Sequence, residues 1–113
     1  MTDRLTAEGS LAPGESLRSS NDQFSLVLQE DGNLVLYDQG GAAIWATGTD
    51  GQDIARVRMQ QDGNLVLYAP GGDAAWASGT NGNDGAYIIL QDDRNLVIYT
   101  SEGNPIWATD TSV

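Results

Sequence analysis

The chain has 113 residues, a net charge of −11 at pH 7, and neither cysteine nor histidine. That rules out disulfides, thiolate or imidazole metal sites and the usual histidine-based catalytic triads. With no lysine and so large a negative charge, nucleic acid and anionic membranes are disfavoured as partners. The length fits one compact domain, residues 1–113, large enough to bury a single core.

The N-terminal MTDRLTAEGS has no apolar h-region, and no stretch approaches 18 apolar residues. Neither a signal peptide nor a membrane span is expected in the chain as given, which suggests a cytoplasmic or non-classically secreted protein. No window of 11–18 residues carries an amphipathic helical pattern. Short apolar runs instead alternate with DG, GG, NG and PG pairs, and the expected class is all-β.

The first predicted hairpin is FSLVLQ, residues 24–29, turning through EDG into NLVLYD at 33–38. Asp-Gly supplies the positive φ angles that a tight turn requires. Placing Gln29 opposite Asn33 pairs Leu28 with Leu34, Val27 with Val35 and Leu26 with Leu36. Because side chains alternate, Phe24, Leu26, Leu28, Leu34 and Leu36 then share one apolar face. AIWATGT follows, with Trp45 at its centre.

The phrase QEDGNLVLY at 29–37 recurs as QQDGNLVLY at 60–68 and QDDRNLVIY at 91–99. The period is 31 residues, and Trp45, Trp76 and Trp107 keep it within AIWATGT, AAWASGT and PIWATDT. One supersecondary unit is thus used three times. Three copies are few for a solenoid, so a closed, approximately threefold arrangement is expected, with the tryptophans buried where they meet near the axis. The same register sends Ala55, Val57, Met59, Leu65 and Leu67 inward in the second unit. In the third it sends Ala86, Ile88, Leu90, Leu96 and Ile98, and every one of these residues is apolar.

The opposite face carries Gln29, Asn33, Val35 and Tyr37, then Gln60, Asn64, Val66 and Tyr68, then Gln91, Asn95, Val97 and Tyr99. The turn aspartates Asp31, Asp62 and Asp93 can reach over the same patches. Turn chemistry accounts for Asp and Asn at the hairpin tips. It does not account for a glutamine and a tyrosine at two further fixed places. Donors and acceptors beside one apolar contact make the pattern of a sugar site.

The phrase Q-x-D-x-N-x-V-x-Y, complete in all three copies, resembles the signature of the monocot mannose-binding lectins (bulb-type, snowdrop agglutinin-like). LAPGESLRS at 11–19, the tryptophan segments and the overall length extend the likeness to nearly the whole chain. The resemblance implies a β-prism II fold, three antiparallel four-stranded sheets with pseudo-threefold symmetry, and mannose binding without metal or other cofactor. It implies that Asp31, Asp62 and Asp93, with Asn33, Asn64 and Asn95, hold the 2-hydroxyl of mannose. Gln29, Gln60 and Gln91 would take the 3-hydroxyl, and Tyr37, Tyr68 and Tyr99 the 4-hydroxyl. Val35, Val66 and Val97 would pack on the C3–C4 edge. Plant members usually bridge two cysteines where this chain has Gly32 and Ala55, which suggests a bacterial or cytosolic member. Arg56 and Arg58 on the outer face of the second unit could narrow that site, extend it, or mark a subunit contact.

Catalysis is disfavoured, since adjacent carboxylates at a turn tip point apart and glycoside hydrolysis needs two spanning one bond. The turns also offer too few oxygens for calcium. A lectin-like antibacterial toxin or a structural interaction module on the same scaffold is the alternative function. The expected partners are mannose and mannose-rich glycans. The sheet that begins with the N-terminal stretch needs a closing strand, and family members commonly swap their last one. A homodimer by C-terminal strand exchange is therefore expected, with a tetramer of two dimers left open.

Overall fold

The computed structural model describes residues 2–113, and among them it has twelve strands and no helix. The N-terminal segment supplies three very short ones: β1 (Arg4–Leu5), β2 (Ser10–Leu11) and β3 (Ser16–Arg18). The first unit then gives β4 (Ser25–Leu28), β5 (Leu34–Tyr37) and β6 (Ala43–Ala46). The second gives β7 (Arg56–Met59), β8 (Leu65–Tyr68) and β9 (Ala74–Ala77). The third gives β10 (Tyr87–Leu90), β11 (Leu96–Tyr99) and β12 (Pro105–Ala108).

Each unit forms three strands of a four-stranded antiparallel sheet, and the N-terminal segment lends one edge strand to each. The orders are β3-β4-β5-β6, β2-β7-β8-β9 and β1-β10-β11-β12. This is the β-prism II architecture. The hairpin register is the one read from the sequence: Leu26 faces Leu36, Val27 faces Val35 and Leu28 faces Leu34. The second and third hairpins repeat it, with Met59 opposite Leu65 and Leu90 opposite Leu96.

The inward faces of the three sheets meet in one hydrophobic core, in which Leu28, Leu34, Leu36, Met59, Leu67, Ile88, Leu90, Leu96 and Ile98 are sealed from solvent. Burying a side chain of this kind contributes about 1.5–3 kcal/mol. One expected core position differs. Ala55 is only half-buried, and its larger neighbour Ile54 fills the place that Phe24 and Ala86 hold in the other units.

Two further expectations change. Trp45, Trp76 and Trp107 do meet around the pseudo-threefold axis, edge to face in all three pairs, with ring centroids 5.7–5.9 Å apart. They are half-buried, not enclosed, and pack against the core from edge strands β6, β9 and β12. The N-terminal strand also needs no partner chain to close its sheet. β1 pairs with β10 of the same chain, and β12 pairs with β11.

Candidate functional site

The outward residues of each unit gather around its hairpin turn. Asp31 accepts a hydrogen bond from the Asn33 amide N–H through Oδ1 at 2.9 Å, and Asp62 and Asp93 do the same for Asn64 and Asn95 at 3.0 and 2.9 Å. This Asx turn fixes the carboxylate at the tip. The second oxygens of Asp62 and Asp93 take no hydrogen bond from the described residues.

The asparagines do more than shape the turn. Asn33 Oδ1 accepts from Gly48 N at 3.0 Å, Thr49 N at 3.2 Å and Thr47 Oγ1 at 3.3 Å. Asn64 Oδ1 accepts from Gly79 N, Thr80 N and Ser78 Oγ at 2.9, 3.2 and 3.2 Å. Asn95 Oδ1 holds Thr109 and Thr111 in the same way. The amide oxygen is thus committed to the segment after the tryptophan strand, and Nδ2 donates to none of the described residues. A threonine closes each clamp: Thr49, Thr80 and Thr111 donate to the carbonyls of Gly32, Gly63 and Arg94 at 2.7, 2.6 and 2.7 Å. These threonines escaped the sequence reading, although a Thr/Ser-x-Thr repeated one alanine after each tryptophan marks them.

Gln29, Gln60 and Gln91 each lie within hydrogen-bonding reach of the tyrosine hydroxyl of their own unit, Tyr37, Tyr68 and Tyr99. With its amide turned so that Oε1 accepts from Tyr37, Gln29 also donates through Nε2 to both Asp31 oxygens at 3.2 Å. Carboxylate, glutamine amide and phenol are thus joined in the first unit, and the second and third repeat its Asp–Asn and Gln–Tyr pairs. Val35, Val66 and Val97 lie on this face, but each is only 3% exposed. They are centred between flanking strands, so they underlie the patch and offer little area to a ligand.

The three patches have different walls. Opposite the tyrosine and valine stand Ser25 and Val27 in the first unit, Arg56 and Arg58 in the second, and Tyr87 and Ile89 in the third. Tyr87 stacks on Tyr99 with ring centroids 5.7 Å apart. Arg58 pairs with Glu8 of the N-terminal segment. A cavity of about 630 Å³ lies elsewhere, lined by Thr2, Asp3, Arg18, Ser19, Ser20 and Asp22. It contains none of the repeated residues, and a single cavity cannot explain a set spelled three times. Among the described residues no group of three or more histidine, cysteine, aspartate or glutamate side chains is placed to hold a metal ion.

No family model matches the chain. The B-type lectin plumieribetin of Scorpaena plumieri is 40% identical over 55 residues, a match that takes in 49% of this chain and about half, 47%, of that relative. Among solved structures, a monomeric monocot mannose-binding lectin from Gastrodia elata is 49% identical with a TM-score of 0.90, covering 99% of this chain and 100% of that one. The chain belongs to the bulb-type lectin family. The mannose-specific agglutinin of snowdrop, Galanthus nivalis, complexed with methyl α-D-mannoside, is 44% identical over 98% of both chains, with a TM-score of 0.79. A domain-swapped lectin dimer from Mycobacterium smegmatis is 47% identical, covering 96% and 99%, at 0.59. Bulb-type lectins hold sugars without transforming them, so the chain is not an enzyme.

Proposed function

We propose that this bulb-type lectin is one domain that binds mannose and mannose-rich glycans, without metal, at up to three sites per chain. The observation that carries the reading is the identical donor and acceptor set in all three units. Each has an Asp carboxylate at the tip, an Asn amide nitrogen freed by the commitment of its oxygen, and a Gln–Tyr pair. A carboxylate beside an amide donor satisfies one hydroxyl as both donor and acceptor. The axial 2-hydroxyl of mannose would sit there, the 3-hydroxyl at Gln and the 4-hydroxyl at Tyr. Glucose, whose 2-hydroxyl is equatorial, would leave the Asp/Asn pair unsatisfied. The relative complexed with methyl α-D-mannoside supports this choice of sugar.

Assembly belongs to the same proposal. Two chains exchanging β12 would present up to six sites, and several weak contacts on one glycan surface give useful avidity. The swapped mycobacterial dimer supports exchange, while the Gastrodia lectin is monomeric. A glycan array tests the sugar assignment: retention of terminal mannose over glucose and galactose, unchanged by EDTA, is expected. Equal retention of all three hexoses contradicts it.

A further inference from the structure

Five arginines carry all the positive side-chain charge. Arg4 is paired with Asp3, Arg18 with Asp22 and Arg58 with Glu8, and Arg94 donates through Nε to the Thr111 carbonyl at 2.8 Å. Arg56 alone among them has no carboxylate within 4.0 Å and donates no side-chain hydrogen bond to the described residues. It is exposed, stands directly across from Tyr68, and carries its guanidinium carbon 5.4 Å from the centre of that ring. Stacking on the phenol holds the planar fork at the rim of the second patch with its N–H donors free.

The polar groups of that patch run from Asp62 and Asn64 at the turn to Gln60 with Tyr68, and Arg56 lies beside the tyrosine on the neighbouring strand. A hexopyranose presents its substituents in order too. With the 2-hydroxyl at Asp62 and the 4-hydroxyl at Tyr68, C6 would leave the ring carbon next to C4, at the tyrosine rim where Arg56 stands. We propose that the second site selects hexoses of the mannose configuration bearing an anionic group at C6, a phosphate ester or a carboxylate. This rests on the mannose reading above. The first site has Ser25 at the corresponding place, and the third has Tyr87, with Arg4 nearby but held by Asp3. Neither offers a free cation. Asp62 at the far end and the net charge of −11 oppose the anion, and salt screens such charges beyond about 8 Å.

The test is a titration of the intact, isotope-labelled protein followed by NMR, in which backbone amides report each site separately. Methyl α-mannoside, its 6-phosphate and methyl α-mannuronoside are compared. At amides 61–64 and 68 the anionic sugars should bind roughly fivefold tighter than the neutral one, the scale of a single exposed charge-assisted contact. The phosphate and carboxylate arms separate the two sources. Amides 31–33 and 93–95 should show no gain. Arg56→Ser should abolish the advantage while neutral mannoside binds as before, and Arg56→Lys should retain part of it. If Arg56→Ser weakens neutral and anionic sugars equally, the arginine only positions Tyr68 and the inference is overturned. It is overturned alone if neutral mannoside binds but the anionic forms gain nothing at the second site. If neutral mannoside moves no amide at any site, the mannose reading itself falls.

Discussion

Asn33 and Asp31 sit two residues apart on one turn, yet the structure gives them unlike tasks. The asparagine oxygen satisfies two backbone N–H groups and a hydroxyl of the 47–49 segment. The aspartate is exposed and accepts only from groups of its own hairpin, the Asn33 N–H and the Gln29 amide. Asn33→Ala should therefore destabilise the fold by about 1–3 kcal/mol, because it strands N–H donors in a part-buried loop. Asp31→Ala should cost about 1 kcal/mol or less while removing sugar binding at the first site. Thermal denaturation beside titration of the two variants checks this, and equal stability losses would contradict it. Sequence pattern grouped the fifteen candidate residues around the three hairpins, and the structure buries Val35, Val66 and Val97 beneath that face. It did not reveal that one group of each asparagine is structural, because hydrogen bonds to a loop fourteen to sixteen residues away leave no trace in a local motif.

The hairpin turns show how the same element adapts to what crosses it. Gly32 has φ of 92°, and a Cβ there would lie 2.1 Å from the Gln52 carbonyl oxygen in the linker to the second unit. Gly63 is pressed by Asn83 in the same way, with a Cβ 2.4 Å from its carbonyl oxygen. A cysteine could not replace Gly32 without moving that linker. After the third unit no linker crosses. The tail takes its place, and Arg94, at φ of 77°, donates to the Thr111 carbonyl while Val113 N donates to the Asp93 carbonyl. Gly32→Ala should thus cost about 3 kcal/mol or more, from backbone clash added to left-handed strain. Arg94→Gly should stay within about 1 kcal/mol of the parent, since glycine relieves the strain that the lost tail contact offsets. Chemical denaturation of both variants measures the contrast. The long repeats were legible because period-two alternation over four or more residues is unambiguous. The N-terminal strands were not, since two or three residues carry no periodicity and their pairing is fixed by distant partners such as Ile89 and Arg58.

At the scale of the whole molecule, one N-terminal segment lacing three sheets makes the prism a closed unit with very short outer edges, which resist open-ended strand pairing. The tryptophan cluster is half-buried. Its fluorescence should be quenched by acrylamide to an intermediate degree, unchanged by mannoside; protection by sugar would place the indoles in the sites. The tail braces the third hairpin turn, because Thr109 and Thr111 donate to Asn95 and Val113 N donates to the Asp93 carbonyl. Deleting 109–113 should weaken the third site selectively, and in a strand-exchanged dimer that clamp would come from the other chain. Light scattering of the undeleted chain should give the mass of two chains, and a monomer would contradict strand exchange. Metal-free mannose binding at three places is read out by calorimetric titration with methyl α-mannoside in EDTA. The expected result is a dissociation constant near 1 mM, about −4 kcal/mol, at up to three sites per chain, lost by one site when Asp31 or Asp93 is replaced. Binding that disappears with the chelator, or that matches galactoside in strength, would contradict it.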